Sequence, residues 1–522
     1  MSRAARAWAW LRASDLGPET HSLTRRVFLT LLAIAYLAAF TSLWVQVEGL
    51  IGSRGISPAA EFLAEVAEIA GGERFWRVPT LLWFGSGDGA LHLLCAAGVL
   101  LSLLLAAGVA PRFGAALLWL LYLSLVSAGG IFLRYQWDSL LLEAGFLAIW
   151  VAPAALAPKR AARAPVDPLA VWLLRILLFK LMFLSGVVKL QSGDPAWPEL
   201  TAMDWHYLTQ PLPNPLSFYA HHLPAWLHRL EVVGTFAFEL GVPFLIFAPR
   251  RLRWAAWPAL IGLQLLISAT GNYGFFNLLS VALCTWLLDD ALLRRLLPRR
   301  LRPQPSAVSA RRRGWGPARV ALAALAVPLF ALNGLLVLER LGAAVFRPQA
   351  LVSLQRELAP LHVVNPYGLF AVMTKQRDEI GLEGSADGVE WRAYPFRYKP
   401  GPPPRAPRFA GLHMPRLDWQ LWFASLRGCS RAPWLHSFLL RVLQGEPAVL
   451  GLLEANPFPD APPRYLRTAF VRYEFAAPGG EAWWVTEPRG EFCPVVELRG
   501  ERIAPLRDPD RAGSGKATRG ER

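Results

Sequence analysis

The chain is short of charge and of lysine. Asp, Glu, Lys and Arg make up 18% of 522 residues, and only six of the 54 basic residues are Lys. A soluble protein of this length would need more charge to cover its surface. With 54% hydrophobic residues and a mean hydropathy of +0.31, the composition is that of a polytopic membrane protein. Cysteine is scarce too: four residues, without a CxxC pair or zinc spacing. Cys95 and Cys284 fall inside apolar runs and read as small packed hydrophobes. Cys429 and Cys493 fall in a polar C-terminal region and can pair if that region faces an oxidising compartment. No GxSxG, Walker loop, GxGxxG or metal motif is found, which argues against a soluble-type enzyme; no metal and no cofactor is expected. The formal charge of +16 could point to nucleic acid. Its Arg clusters, however, sit in short loops between apolar runs, so the expected partner is the lipid bilayer and not nucleic acid.

Apolar runs predict spans at 27–47, 91–110, 113–127, 139–156, 169–190, 230–247, 255–269, 275–288 and 320–338. Several are short, so about eight to ten transmembrane helices are expected. The first run follows the Arg-rich leader, 1–26, and no small-residue cleavage pattern ends it cleanly, so it reads as an anchored helix. In the polar stretch 48–87, Glu61, Glu65 and Glu68 alternate with Phe62, Val66 and Ile69 as on an amphipathic surface helix.

Loop charges orient the chain. With the N-terminus inside, the inner segments hold Arg112, then Lys159, Arg160 and Arg163, then Arg250, Arg251 and Arg253. The last of them, between the eighth and ninth runs, carries Arg294, Arg295, Arg299, Arg300, Arg302, Arg311, Arg312 and Arg313. This puts 48–87, Arg134–Asp138, 191–229, 271–274 and the C-terminal region together on the outer face. After about 345 the spans stop. Turn chemistry at 384–388, strand-like stretches at 389–398, 468–476 and 482–486, and helical periodicity at 417–428 and 433–444 predict a C-terminal α+β domain. The expected organisation is a basic cytoplasmic leader (1–26), a polytopic α-helical membrane bundle (27–340), a soluble, extracytoplasmic α+β domain (345–507) and a disordered tail (508–522).

The stretch Arg134-Tyr135-Gln136-Trp137-Asp138-Ser139, with Glu143 beyond it, is a polar boundary followed by a carboxylate inside an apolar run. A buried carboxylate there is either an ion-pair partner between helices or a functional charge site. Counted by depth, Lys189 is the candidate partner of Glu143, and Lys180 that of Glu239. Asp138 reads as an N-cap or a functional acid. His206, His221, His222 and His228 share one loop but match no metal spacing. The run Gln210–Pro215 reads as a rigid lid or docking strip, and Asn272-Tyr273-Gly274 as a tight turn with Tyr273 and Phe275 as interfacial anchors. Arg416, Asp418 and Trp419 read as a polar-aromatic contact surface or as a structural pair with a buried Trp.

Several long motifs resemble the lipase maturation factor family. They are Tyr135-Gln136-Trp137-Asp138-Ser139-Leu140-Leu141-Leu142-Glu143-Ala144-Gly145, Gln210-Pro211-Leu212-Pro213-Asn214-Pro215, Thr270-Gly271-Asn272-Tyr273-Gly274-Phe275-Phe276-Asn277 and Asn365-Pro366-Tyr367-Gly368-Leu369-Phe370. Tyr398-Lys399-Pro400-Gly401, Pro415-Arg416-Leu417-Asp418-Trp419-Gln420 and Asn456-Pro457-Phe458-Pro459 continue the likeness. The resemblance implies a non-enzymatic membrane maturation factor or chaperone of the endoplasmic reticulum, acting on a secreted, lipase-like client. Asn365, Tyr367, Arg416, Asp418 and Trp419 are then candidate client-binding residues. Arg- and Ala-rich usage fits a bacterial-type member, for which the outer face would be the periplasm. The family's membrane part also bears a looser likeness to the transmembrane domain of vitamin K-dependent carboxylases. The alternative is therefore a membrane enzyme at the outer face, with Lys189 or Lys180 as its base.

Overall fold

The computed structural model describes residues 8–12, 19–158, 164–297, 316–343 and 347–505. The basic residues Arg3, Arg6, Lys159, Arg160, Arg163, Arg299, Arg300, Arg302 and Arg311 to Arg313, and the tail 508–522, lie outside the described residues. The chain forms two units. Among the described residues, one comprises those within 8–45, 59–375 and 409–414, and the other 46–58, 376–408 and 415–505.

Apolar composition makes the first unit helical, because only a helix satisfies its own backbone within lipid. Its long helices are α1 (Ser22–Trp44), α2 (Asp88–Ala107), α3 (Pro111–Ala128), α4 (Gln136–Val151), α5 (Pro168–Gln191), α6 (Arg250–Thr270) and α7 (Pro317–Arg340). Among the described residues, seven segments are long and apolar enough to cross a membrane. Six are these helices other than α4, and the seventh is Ala225–Phe247, which passes from α-helix through a π-turn at Ala237–Gly241 into 3-10 helix. The stretch Phe276–Leu287 breaks by 117° into Asp290–Leu296, and the count is eight if that pair is one span. This is an integral membrane protein. The count of seven, or eight with the bent pair, falls at or just below the eight to ten expected because α4 has 16 residues, about 24 Å at the helical rise, and the eighth run is bent.

One end of this unit is tied by charge. Asp290 accepts hydrogen bonds from the backbone N–H groups of Ser22, Leu23 and Thr24, serving from a distant segment as the N-cap of α1. Glu19 receives Arg175 at 2.8 Å and Arg253 at 2.5 Å, beside His21 at 3.0 Å. Burial alone would raise its pKa, but His21, Arg253 and Arg175 outweigh that and hold its carboxyl well below the usual range. At the other end, the loop expected at 191–229 carries helices Ala202–Thr209 and Pro215–His221. The second is set by a capping box between Asn214 and Ser217, with Pro215 at its first position.

The second unit is an antiparallel sheet with helices. Strands β1 (Arg377–Ser385), β2 (Arg392–Tyr394), β3 (Tyr465–Phe475), β4 (Trp484–Arg499) and β5 (Arg502–Pro505) lie in the order β2-β1-β3-β4-β5. Ser385 and Asp387 close the β1–β2 turn, with Asp387 accepting from the Val389 and Glu390 amides. Helix Arg416–Arg427 packs on β1, and Pro433–Leu443 on β3 and β4. Cys429 and Cys493 form a disulfide that joins the turn between these helices to β4, with Cα atoms 5.5 Å apart. The segment Gln46–Pro58 belongs to this unit. Gln46 accepts from the Arg416 amide at 2.9 Å, and Arg441 donates to the Gly55 carbonyl at 3.1 Å. A Cβ on Gly49 would stand 2.4 Å from the Ala448 carbonyl, so glycine is needed for this close approach.

Candidate functional site

The motif residues of the first unit gather at the end opposite Asp290, around the segment Asn365–Thr374. Glu143, 1% exposed, lies seven residues into α4, or about 10 Å along it. One carboxylate oxygen accepts Lys180 Nζ at 2.6 Å. The other accepts the Asn365 amide at 3.0 Å, Asn365 Nδ2 at 3.0 Å and the Tyr367 hydroxyl at 2.8 Å. Lys180 also donates to Asn333 Oδ1 at 2.7 Å on α7 and lies 5.3 Å from the centre of the Tyr367 ring. Burial first, and the Glu143 carboxylate next, raise the Tyr367 hydroxyl well above its usual range, so it stays protonated and donates. Two charges buried this deeply are tolerated because every polar group in the cluster is matched.

The pairing corrects the depth count. Glu143 meets Lys180, and Lys189 meets Glu239 with Nζ–O distances of 2.7 and 3.0 Å. The reason is the register of two antiparallel helices. Gln136, at the start of α4, exchanges two hydrogen bonds with the Gly368 backbone, and a Cβ on Gly368 would meet Val188 of α5 at 2.6 Å. Gln136 is therefore level with about Val188, and seven residues deeper Glu143 is level with Leu181 and Lys180. Gly368 holds φ +151°, which side-chain-bearing residues rarely adopt; Phe370 holds φ 55°.

Lys189 also donates to the Ser185 carbonyl at 3.1 Å and sits 5.4 Å from the centre of the Trp197 ring. Its partner Glu239 lies in the π-turn, an irregularity that re-aims side chains. Trp197 in turn donates to the Ala371 carbonyl at 3.0 Å, and Asp194 accepts the Met373 amide at 2.5 Å. Burial, and then Lys189, push the neighbouring His206 down to about 4, so it is neutral near pH 7. Asn333, Asp194 and Trp197 were not singled out from sequence. Asn333 had a signal, a lone amide within an apolar span.

The other candidates are placed as follows. Tyr135 and Trp137 stack at 4.2 Å. Asp138 is not the N-cap of α4. The helix begins two residues earlier, so Asp138 sits in its first turn and accepts the Tyr122 hydroxyl at 2.5 Å. Gln210 and Asn214 donate to the Thr270 and Ala269 carbonyls, and Asn272 to those of Leu212 and Pro213. The Pro-rich run thus docks on the end of α6 and satisfies its last carbonyls. Tyr273 and Phe275 are buried, not interfacial. Tyr273 donates to Gln210 Oε1 at 2.9 Å and meets Phe370 edge-on. His228 bonds Asp204 and the Ala220 carbonyl, and His222 the Phe218 carbonyl, so these two rings serve packing.

In the second unit, Arg416, Asp418 and Trp419 are 1%, 3% and 4% exposed, which is an interior position and not a contact surface. Asp418 accepts the Tyr398 and Lys399 amides, and Lys399 with Arg377 flanks Glu379. Burial raises Asp418 to about 6 against the pull of these amides and Lys399. Among the described residues, no group of three or more His, Cys, Asp or Glu could hold a metal ion.

Two family models match this chain. The lipase maturation factor transmembrane domain covers residues 23–295, and the lipase maturation factor C-terminal domain covers 363–494. Lipase maturation factor 2 of Rattus norvegicus is 37% identical, over 94% of this chain and 87% of its own length. Lipase maturation factor 2 of Homo sapiens is 36% identical, over 91% and 83%. Lipase maturation factor 1 of Homo sapiens is 34% identical, over 93% and 90%. No solved structure matches the chain.

Proposed function

Because the chain belongs to the lipase maturation factor family, we propose that it is a membrane-embedded maturation factor that helps an exported, lipase-like client to fold or assemble, without itself catalysing a reaction. Similarity to maturation factors over nine-tenths of the chain is the observation that carries this reading. The site geometry agrees with it. A lysine acting as a membrane base needs a free, unprotonated amine, whereas Lys180 and Lys189 are each held in a buried ion pair. No family or relative matched here carries the carboxylase-like alternative.

The placement of Arg supports an N-terminus in the cytoplasm and a C-terminal domain outside it. That compartment is the lumen of the endoplasmic reticulum by analogy with the family, or the periplasm in a bacterium. The disulfide fits an oxidising compartment. Co-expression with a secreted lipase tests the reading. Deleting the chain is expected to lower secreted lipase activity far more than lipase synthesis, and crosslinking is expected to recover the lipase. Unchanged secreted activity in the deletion would overturn the reading.

A further inference from the structure

Between α1 and α2, residues 59–84 of the first unit form a helix (Ala59–Ala70) and three short turns, Gly71–Glu73, Arg74–Arg77 and Leu81–Phe84. The helix has an acidic, solvated side of Glu61, Glu65 and Glu68, and buries Ala59 and Leu63. The end of the helix and the turns do the reverse. Ile69, in the last turn of the helix, is 83% exposed, and in the turns Phe84 is 86%, Phe75 50% and Trp76 48% exposed. Isolated exposed apolar side chains are ordinary, but a patch of sequence with four large ones in sixteen residues points to a binding surface.

The depth of this patch is fixed. Thr80 Oγ1 donates to the Ser124 carbonyl at 2.9 Å, and Ser124 Oγ accepts the Leu81 amide at 3.1 Å. Ser124 stands four residues before the end of α3, or about 6 Å inside it. The last turns of α3, Leu121 to Val126, are buried although they belong to a span, and Leu82, 2% exposed, packs in this region. A segment that covers the flank of a span at this depth must itself face the surroundings of that span. The next helix, α2, begins four residues after Phe84 and exposes Leu93, Leu100 and Leu103.

We propose that residues 69–84 form a monotopic wedge that places Ile69, Phe75, Trp76 and Phe84 in the headgroup and upper acyl region of a phospholipid bilayer. Trp76, an apolar ring with one polar N–H, suits that depth, and Ile69, Phe75 and Phe84 supply the apolar contact. Arg74 lies 4.8 Å from the Phe75 ring centre and 5.3 Å from that of Trp83, a snorkelling position that brings its guanidinium to phosphate level. Glu61, Glu65, Glu68 and Glu73 outnumber Arg74 and Arg77, so insertion rests on apolar and aromatic contact and does not require anionic lipid.

Nitroxide labels on the full chain test the wedge, at Phe84→Cys, Trp76→Cys and, as a water-facing reference, Glu65→Cys. Cys95 and Cys284 are buried and the other two cysteines are disulfide-bonded, which leaves the introduced thiol for labelling. In phosphatidylcholine vesicles, power saturation is expected to give several-fold higher oxygen-to-nickel accessibility ratios at 84 and 76 than at 65. Ratios at 84 and 76 equal to that at 65 overturn the proposal. So does exclusion of both reagents from 84, which would mean that protein covers it. Ile69→Cys replaces either aromatic variant that fails to reconstitute.

Discussion

Lys180 and Lys189 stand on one helix, nine residues and so about two and a half turns apart, and therefore point to opposite sides. Their carboxylates are held differently. Glu143 gathers four donors from α5 and the segment Asn365–Tyr367, and Lys180 adds Asn333 of α7. Among the described residues, Glu239 is matched by the two contacts of Lys189 alone. The first pair draws in Asn365 and Tyr367, more than 200 residues from Glu143, whereas the second only clamps two helical segments to each other. A buried charge pair contributes little when intact and much when broken, and the loss is worse at Glu143 because it is the more deeply buried carboxylate and Asn333 loses its donor along with it.

The largest effect is expected from Lys180→Met, which strands Glu143 among neutral donors. It should destabilise the membrane unit by about 3–5 kcal/mol, read as a drop in the thermal midpoint of the detergent-solubilised protein. Adding Glu143→Gln should restore more than half of that loss; a double variant as unstable as the single one would refute the pairing. Lys189→Met should cost about 3 kcal/mol, and Glu239→Gln should compensate it independently of the first pair, as a double-mutant cycle would report.

The third prediction contrasts carboxylates of the two units. Asp418 is raised from 3.8 to about 6 on folding, so the folded state binds the proton more tightly than the unfolded one. Its contribution is therefore fully present below pH 4 and is lost as pH rises through 6, a change on the order of 3 kcal/mol. Hydrogen exchange of Arg377–Lys399, corrected for intrinsic rates, should show more protection at pH 5 than at pH 7, and Asp418→Asn should flatten that difference. Glu19, held low, has the opposite sign. Its contribution is present above the usual carboxylate range and disappears on acidification. The smallest effect is that of Tyr367→Phe, about 1.5 kcal/mol for one hydrogen bond to a charged group, measured as a midpoint shift.

Much of this was legible in sequence. The apolar runs located the spans to within a few residues, because hydropathy responds to a requirement of the bilayer itself. Glu143 stood out for the same reason. Its partner did not, since depth counted from helix ends assumes level ends, and the register of α4 against α5 is set by Gln136 and Gly368 across a segment 232 residues away. The motif Asn365-Pro366-Tyr367-Gly368 was visible, but its burial against Glu143 was not. Arg416, Asp418 and Trp419 look like a contact surface in one dimension because polar and aromatic residues serve equally at interfaces and in satisfied interiors.

Gln46–Pro58 has a consequence in time. Its partners Arg416 and Arg441 follow it by 370 and 386 residues. At a synthesis rate of about 5–20 residues per second, this loop waits roughly 20–70 s on the ribosome before they emerge. Throughout that interval Gln46 lacks the Arg416 amide, and Gly49 the Ala448 carbonyl it packs against. A chain whose relatives help other proteins mature therefore begins life with an unfinished surface of its own.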